Sequence, residues 1–243
     1  MSGYYTRACN FYYGSNSKTL VKKKKALPLN GNSDISFDKL EIISRKSKKI
    51  IDLNDIYKLS TNLKKKVKKD IKLITNSKKN IKNLNFKSTP KIMGVLNVTP
   101  DSFSDGGKYV KIDYAKKHLD FLFKCGADLV DIGGESTRPG SQPVSSKVEW
   151  DRIKDILKKI DKKKLISLDT RKSDIMEKGI KLGVYLINDI SGLNYDNKSV
   201  EILRKYKTPF VLQHSLGNPD VMQNNPKYKN VLLDIYDFFE KKI

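Results

Sequence analysis

Five apolar runs in the second part of the chain end on side chains that can hydrogen-bond a ligand. Asn97 ends the first (residues 92–98), Asp131 lies near the end of the second (129–133), and Asp169 ends the third (165–169). Asn188 and Asp189 end the fourth (185–190), and Gln213 and His214 end the fifth (210–214). A carboxylate accepts an N–H and an NH2 side by side, while an amide both donates and accepts. Acids and amides around one apolar cup therefore suit a flat heterocycle that carries donors and acceptors together. Taken singly, each residue would serve equally well as a strand-end cap or turn residue.

Two long polar loops follow the first two runs. "GGESTRPGSQPVS" (residues 133–145) contains Arg138, one of only six arginines. Arginine makes the forked contact that phosphate and carboxylate accept, and glycine lets backbone N–H groups approach an anion. At 13 residues this loop exceeds the usual βα connection of about 2–6. The segment at residues 99–108 is similarly long and rich in small polar groups. Two such loops at neighbouring strand ends can close over a substrate. Side-chain chemistry alone thus gives a heterocycle pocket with an anion-binding rim, and names no reaction.

Helical patterns at 114–125, 146–160, 173–182, 198–206 and 231–243 separate the apolar runs, with Gly126 and Gly183 where helices should stop. Strands alternating with helices of this length predict βαβ units and a parallel sheet, which places every strand's carboxyl end on one rim. A doubly wound sheet and the first five units of a (β/α)8 barrel both fit.

Before residue 90 the composition differs. Residues 1–89 hold 22 Lys+Arg against 6 Asp+Glu, and residues 90–243 hold 27 against 21. We expect a small basic α+β accessory region at 1–89, with strands at 4–14 and 35–44, a turn at "LPLNGN" and a lysine-rich helix at 54–80. Ile56, Leu59, Leu63, Val67, Ile71 and Ile74 form one apolar stripe along that helix. A basic segment can attract nucleic acid, but 43 of the 49 basic residues are lysine among abundant asparagine and isoleucine, so a solvated basic face is expected instead. No apolar run approaches the roughly 18 residues of a membrane span. Cys9 and Cys125 lie far apart without metal-ligand spacing, which fits a reducing cytoplasm.

"IMGVLNVTPDSFSDGG" (92–107) and "LVDIGGESTRPGS" (129–141) closely resemble the two signature segments of the dihydropteroate synthase family. "SLDTRKSDIMEKGIKLGVYLINDISGL" (167–193) and "PFVLQHSLGNPDVMQNNPKY" (209–228) continue the likeness in order. The resemblance implies a (β/α)8 TIM barrel over 90–243, represented by about its first five βα units. It implies condensation of 6-hydroxymethyl-7,8-dihydropterin pyrophosphate with p-aminobenzoate by an SN1-like displacement. By the same likeness, Asp169 and Asn188 hold the pterin, with Asp131 and Ile190 on its floor. Asn97 faces the pyrophosphate and its Mg²⁺, and Thr137 and Arg138 grip the pyrophosphate. Phe103, Asp105 and Pro139 shape the p-aminobenzoate pocket. Asp105, Arg138 and Asp169 are the implied catalytic residues.

Gln213 takes a position near the pterin where the family usually has Met. Nothing after Tyr228 resembles the family's later motifs, so the expectation is a C-terminally incomplete chain without full activity, from a protein that dimerises at full length. The alternatives are a non-catalytic partial barrel that keeps a pterin or anion site, and a pterin-dependent methyltransferase domain. The latter has no use for a pyrophosphate grip.

Overall fold

A computed structural model of the chain describes residues 3–81, 84–86, 90–99, 108–136, 141–215 and 227–243. Two compact units result: Met1–Thr89 with Lys229–Asp237, and Pro90–Tyr228 with Phe238–Ile243.

The first unit runs β1 (Tyr4–Tyr13), α1 (Gly14–Lys22), β2 (Leu27–Leu29), β3 (Asn32–Ser44), β4 (Lys48–Asp52), a 3-10 turn (Leu53–Lys58) and α2 (Thr61–Thr75). The long strand β3 pairs antiparallel with β1, β2 and β4. Asn30 and Gly31 have φ of 52° and 73°. Both central residues of a tight hairpin need that left-handed region, which is why "LPLNGN" turns where it does. The expected single helix over 54–80 is broken, because Leu59 and Ser60 are extended (ψ 151° in both). The apolar stripe survives the break and packs with Val67 against Phe37, Leu40 and Ile42 of β3. Helix α1 carries no apolar period and was not expected. Its anchor is polar: the fully buried Ser17 hydroxyl donates to the Ser33 carbonyl at 2.7 Å and lies 2.8 Å from the Ser36 hydroxyl.

The second unit alternates strand and helix: β5 (Met93–Asn97), α3 (Lys108–Lys124), β6 (Leu129–Gly133), α4 (Ser146–Lys159), β7 (Ile166–Asp169), α5 (Ser173–Lys181), β8 (Leu186–Asp189), α6 (Ser199–Tyr206) and β9 (Phe210–Leu212), and the last helix, α7 (Val231–Lys242), is divided between the units after Asp237. All neighbouring strands are parallel and their order is sequential, β5-β6-β7-β8-β9. A doubly wound sheet reverses direction at a switch point, so an unreversed order identifies five units of a (β/α)8 barrel. Successive side chains alternate across the sheet. Leu96, Val130, Ile132, Ile166, Leu168 and Ile187 make one face and pack on Ile153, Ile156, Ile175, Met176 and Leu203 of the helices. The packing is close: a Cβ on Gly179 of α5 would lie 2.4 Å from Leu168 Cδ2. Burying this face fixes the register, and the register decides what stands on the other face.

Asp234 and Asp237, in the first turns of α7, belong to the first unit. Arg45 donates a hydrogen bond to each, from Nη1 to Asp234 and from Nη2 to Asp237, both at 2.6 Å. The Tyr5 hydroxyl donates to Asp237 at 2.5 Å, and the Tyr5 ring meets Tyr236 edge-on at 5.0 Å.

Candidate functional site

Pairing across the sheet places Asn97 beside Gly133, Gly133 beside Asp169, Asp169 beside Asn188 and Asn188 beside Val211. Residues paired in a parallel ladder share a face, and so do residues two apart on one strand. Asn97, Asp169, Asn188 and Asp131 therefore all stand on the face opposite the helices, at or near the strands' carboxyl ends. Gly133 leaves a gap in this line. A Cβ there would lie 3.4 Å from Asp169 Oδ2 and 3.6 Å from Asn97 Oδ1, so both side chains lean over the glycine.

Asp131 stands one level deeper and is buried. Its Oδ2 accepts from Asn188 Nδ2 at 2.9 Å. Its Oδ1 and the hydroxyl of Ser167, paired with it across the ladder, are both buried, and neither makes a well-aligned hydrogen bond among the described residues, although Ser167 is near enough to draw the carboxyl's pKa down. Burial pushes the Asp131 carboxyl up from its usual range. Asp169 is pushed well above the carboxylate range, first by burial and then by the charges of Asp131, Glu149, Asp189 and Glu135. This face thus presents one buried acceptor without a well-aligned donor and one carboxyl that is reluctant to ionise.

Ile190 is half-buried directly after β8, where its carbonyl accepts from the Ser215 hydroxyl at 3.2 Å. Gln213 follows β9 and is exposed. Phe103, Asp105, Thr137, Arg138 and Pro139 lie outside the described residues.

Asp189 and His214 do not join the ring expected of them. Asp189 follows Asn188 by one residue, so alternation turns it to the helix side. There, fully buried, it accepts from the Ser191 N–H (2.8 Å), the Ser191 hydroxyl (2.6 Å) and the Leu193 N–H (3.2 Å). His214 packs its ring 4.7 Å from Phe238, and its Nε2 lies 3.1 Å from the Tyr228 hydroxyl.

A buried ionic network, unforeseen from the sequence, adjoins this face. Glu135 Oε2 accepts from Arg171 Nε at 3.0 Å and pairs with Lys172 Nζ at 3.1 Å; Oε1 accepts from Arg171 (3.3 Å) and from the Val144 N–H (2.9 Å). Lys172 also bonds Glu149, which is fully buried on α4. Burial pushes the Glu135 carboxyl up, but the bonds from Arg171, Val144 and Lys172 outweigh it and hold the group below its usual range. Both "GGEST" and "DTRK" are visible in the sequence, yet charged residues read as solvent-facing unless their partners are known.

Among the described residues no cluster of three or more His, Cys, Asp or Glu could hold a metal. Asn97 Oδ1 and Asp169 Oδ2 both lie close to Gly133, and two oxygens at one strand-end position fit an ion such as Mg²⁺ that takes most of its ligands from phosphate and water. No helix among the described residues is long and apolar enough to cross a membrane.

Residues 93–243 match the family described as pterin binding enzyme. The dihydropteroate synthase of Neisseria meningitidis serogroup B is 46% identical over 157 residues, which cover 63% of this chain and 55% of that protein. The crystal structure of a Clostridium difficile dihydropteroate synthase in the presence of pteroic acid superposes with a TM-score of 0.59 at 39% identity, covering 64% of this chain and 57% of that one. Xanthomonas albilineans dihydropteroate synthase with 4-aminobenzoic acid gives a TM-score of 0.57 at 34% identity, over 64% of this chain and 55% of that one. The chain spans a little over half the length of these relatives.

Proposed function

This chain belongs to the pterin-binding enzyme family, and on that premise we propose that it carries the pterin-pyrophosphate site of a dihydropteroate synthase. The reaction joins 6-hydroxymethyl-7,8-dihydropterin pyrophosphate to p-aminobenzoate. The bond from the pterin methylene to the pyrophosphate oxygen breaks, a carbon–nitrogen bond forms, pyrophosphate departs, and the amine proton passes to solvent. The arylamine is neutral at pH 7, so no strong base is needed. Stabilising the departing anion and excluding water from the pterin cation are what remain.

Asp131 and Asn188 would hold the ring's donors and acceptors, with the buried Asp131 Oδ1 receiving an N–H from the ligand. Asp169, opposite Gly133, would take the other donor pair. Ile190 and Gln213 would line the ring's edge. Asn97 would hold the pyrophosphate end together with Mg²⁺, which when bound supplies positive charge to the leaving group. Thr137 and Arg138 would grip the same anion. Phe103, Asp105 and Pro139 would shape the second-substrate pocket.

The observation that carries this reading is the single register line Asn97–Gly133–Asp169–Asn188, with the buried Asp131 carboxyl beneath it. Calorimetry with the pterin pyrophosphate tests it. Binding should weaken about 10-fold or more in Asp131→Ala and Asn188→Ala, since each removes a buried polar contact worth ~1.4 kcal/mol or more. Absence of binding to the unaltered chain, or binding by both variants as tight as that of the unaltered chain, would overturn it.

A further inference from the structure

We infer that the lysine face of α2 in the first unit is a binding surface for single-stranded nucleic acid, with Tyr57, on the turn that leads into the helix, as a platform for a base. The inference is independent of the pterin site and gives the residues before Pro90 a task of their own.

Helix α2 (Thr61–Thr75) is two-sided in charge as well as in hydropathy. Leu63, Val67, Ile71 and Ile74 pack in the core of the first unit. Lys64, Lys65, Lys68, Lys69 and Lys72 follow one another in alternate steps of one and three. At 3.6 residues per turn they fall within about 140° of the helix circumference, away from the apolar stripe. Lys65, Lys68, Lys69 and Lys72 are exposed and Lys64 is half-buried. Among the described residues none of these five side chains has a partner.

The unit has no spare acid to offset them. Asp34, Asp38, Glu41, Asp52, Asp55 and Asp70 are all the acids of residues 1–89, and each is bound within the unit to some other group. Asp234 and Asp237 are taken by Arg45. Asp70, the one acid on α2 itself, is buried and accepts from Thr6 at 2.6 Å and from Lys66 at 2.6 and 2.7 Å. Lys64–Lys68, Lys65–Lys69 and Lys68–Lys72 are thus like-charge pairs one turn apart, an arrangement that destabilises a helix. Abundant lysine does not by itself produce this. On α5 of the second unit, Lys178 and Lys181 come one turn after Asp174 and Glu177 and pair with them at 3.1 and 3.3 Å. One lysine-rich composition therefore gives a neutralised helix face in one unit and an uncompensated face in the other, where composition alone leads to a merely solvated one.

Three features choose the partner. Cations about 5–6 Å apart along a helix suit a chain of repeated single charges. Phosphodiesters supply one per nucleotide, and binding them releases their counterions. The apolar side of α2 is already spent, Val67 being fully buried, so the helix cannot lay it into a bilayer as a membrane-surface helix must. Tyr57 is 68% exposed, and Lys58 Nζ lies 5.6 Å from its ring centre. An exposed ring among cations stacks on a base that is not already paired, which favours a single strand over a duplex.

Fluorescence anisotropy with a labelled single-stranded RNA of mixed sequence, read across a salt series, tests this on the full chain. Lys64, Lys65, Lys68, Lys69 and Lys72 are replaced together by Gln. A control chain carries the same replacement at Lys117, Lys124, Lys147, Lys158 and Lys162, exposed lysines of the second unit. Each lysine that meets a phosphate adds about 0.7 to the salt slope for a single strand, so the α2 variant should flatten the slope by about 3 and the control by less than about 1. Tyr57→Ala should weaken binding about fivefold or more and leave the slope unchanged. Equal flattening by the control overturns the inference, because total charge would then account for binding. An unaltered chain that binds no tighter than about 10⁻⁴ M at low salt also overturns it. So does one that binds phosphatidylserine vesicles more tightly than RNA through the same five lysines. A Tyr57→Ala chain that binds as tightly as the unaltered one overturns the assignment to a single strand. Circular dichroism establishes folding. Should the five-site variant not fold, the double variant Lys65→Gln, Lys69→Gln is read by the same slope: a flattening of about 1.4 supports the inference and none overturns it.

Discussion

At Asp169 the fold disfavours the charge that the proposed pterin contact would use. Burial and four nearby carboxylates hold its pKa above the unfolded value of about 4. As pH rises past that value the unfolded chain loses the proton first, so the native state binds more protons and stability falls until the folded carboxyl also ionises. Asp131 shifts the same way, while Glu135, held below its usual range, contributes stability that is lost as pH falls through its folded value. Asp169→Asn removes the first effect. Its melting temperature should exceed that of the unaltered chain at pH 8, the difference should shrink towards pH 4, and pterin binding should drop. Equal melting at pH 8 would show that Asp169 is not strained by its neighbours. That Asn97, Asp131, Asp169 and Asn188 share one face was legible in the sequence, because each lies at or near the end of an apolar run and strand ends share a rim. Asp189 was misread for a reason of the same kind, since one step along a strand changes the face. Glu135, Glu149 and Lys172 were illegible because their burial depends on partners up to 36 residues away.

At the scale of elements, the close approach of consecutive strand-end segments limits what the sequence can vary. Gly192, just after β8, has φ of 62°, and a Cβ there would lie 2.4 Å from the Gln213 carbonyl oxygen after β9. Gly192→Ala combines a left-handed backbone with a backbone clash, so a loss of about 2 kcal/mol or more is expected in urea unfolding. A smaller loss would mean that these two segments separate without strain. The same variant should also weaken pterin binding, because Ile190 and Gln213 flank the clash. Strands β5 to β9 and their helices were legible to within a few residues, since long apolar runs alternating with 3.6-residue periods leave little choice. Start positions were less so: α3 begins at Lys108, six residues before the first residue of its periodic pattern. In the first unit β2, β4 and α1 were missed. Leu27–Leu29 and Lys48–Asp52 are too short for a period to show, and α1 is held by serine hydroxyls.

For the molecule as a whole, Lys229–Asp237 groups with the residues before Pro90, which the change in composition near residue 89 could not show. The partners are 189 and 192 residues apart in Arg45–Asp234 and Arg45–Asp237, beyond any local pattern. The strongly basic first segment, 22 Lys+Arg against 6 Asp+Glu, finds two of its carboxylate partners on α7. Asp234 has a second task there, since its Oδ2 accepts from the Lys229 and Asn230 N–H groups at 2.9 and 3.1 Å at the start of the helix. A carboxylate near a helix N-terminus is favoured by the helix dipole with or without Arg45, so removing the arginine should loosen the helix start without unfolding it. Arg45→Ala should therefore speed hydrogen exchange in the first turns of α7 and leave amides in the central strands β6 and β7 unchanged. About 1 M salt, where screening acts within roughly 3 Å, should move the unaltered chain part of the way towards the variant. Exchange that is indifferent to both the substitution and salt would mean that the Tyr5–Tyr236 ring contact and the Tyr5–Asp237 bond hold this helix by themselves, and that the arginine fork is only a surface pair.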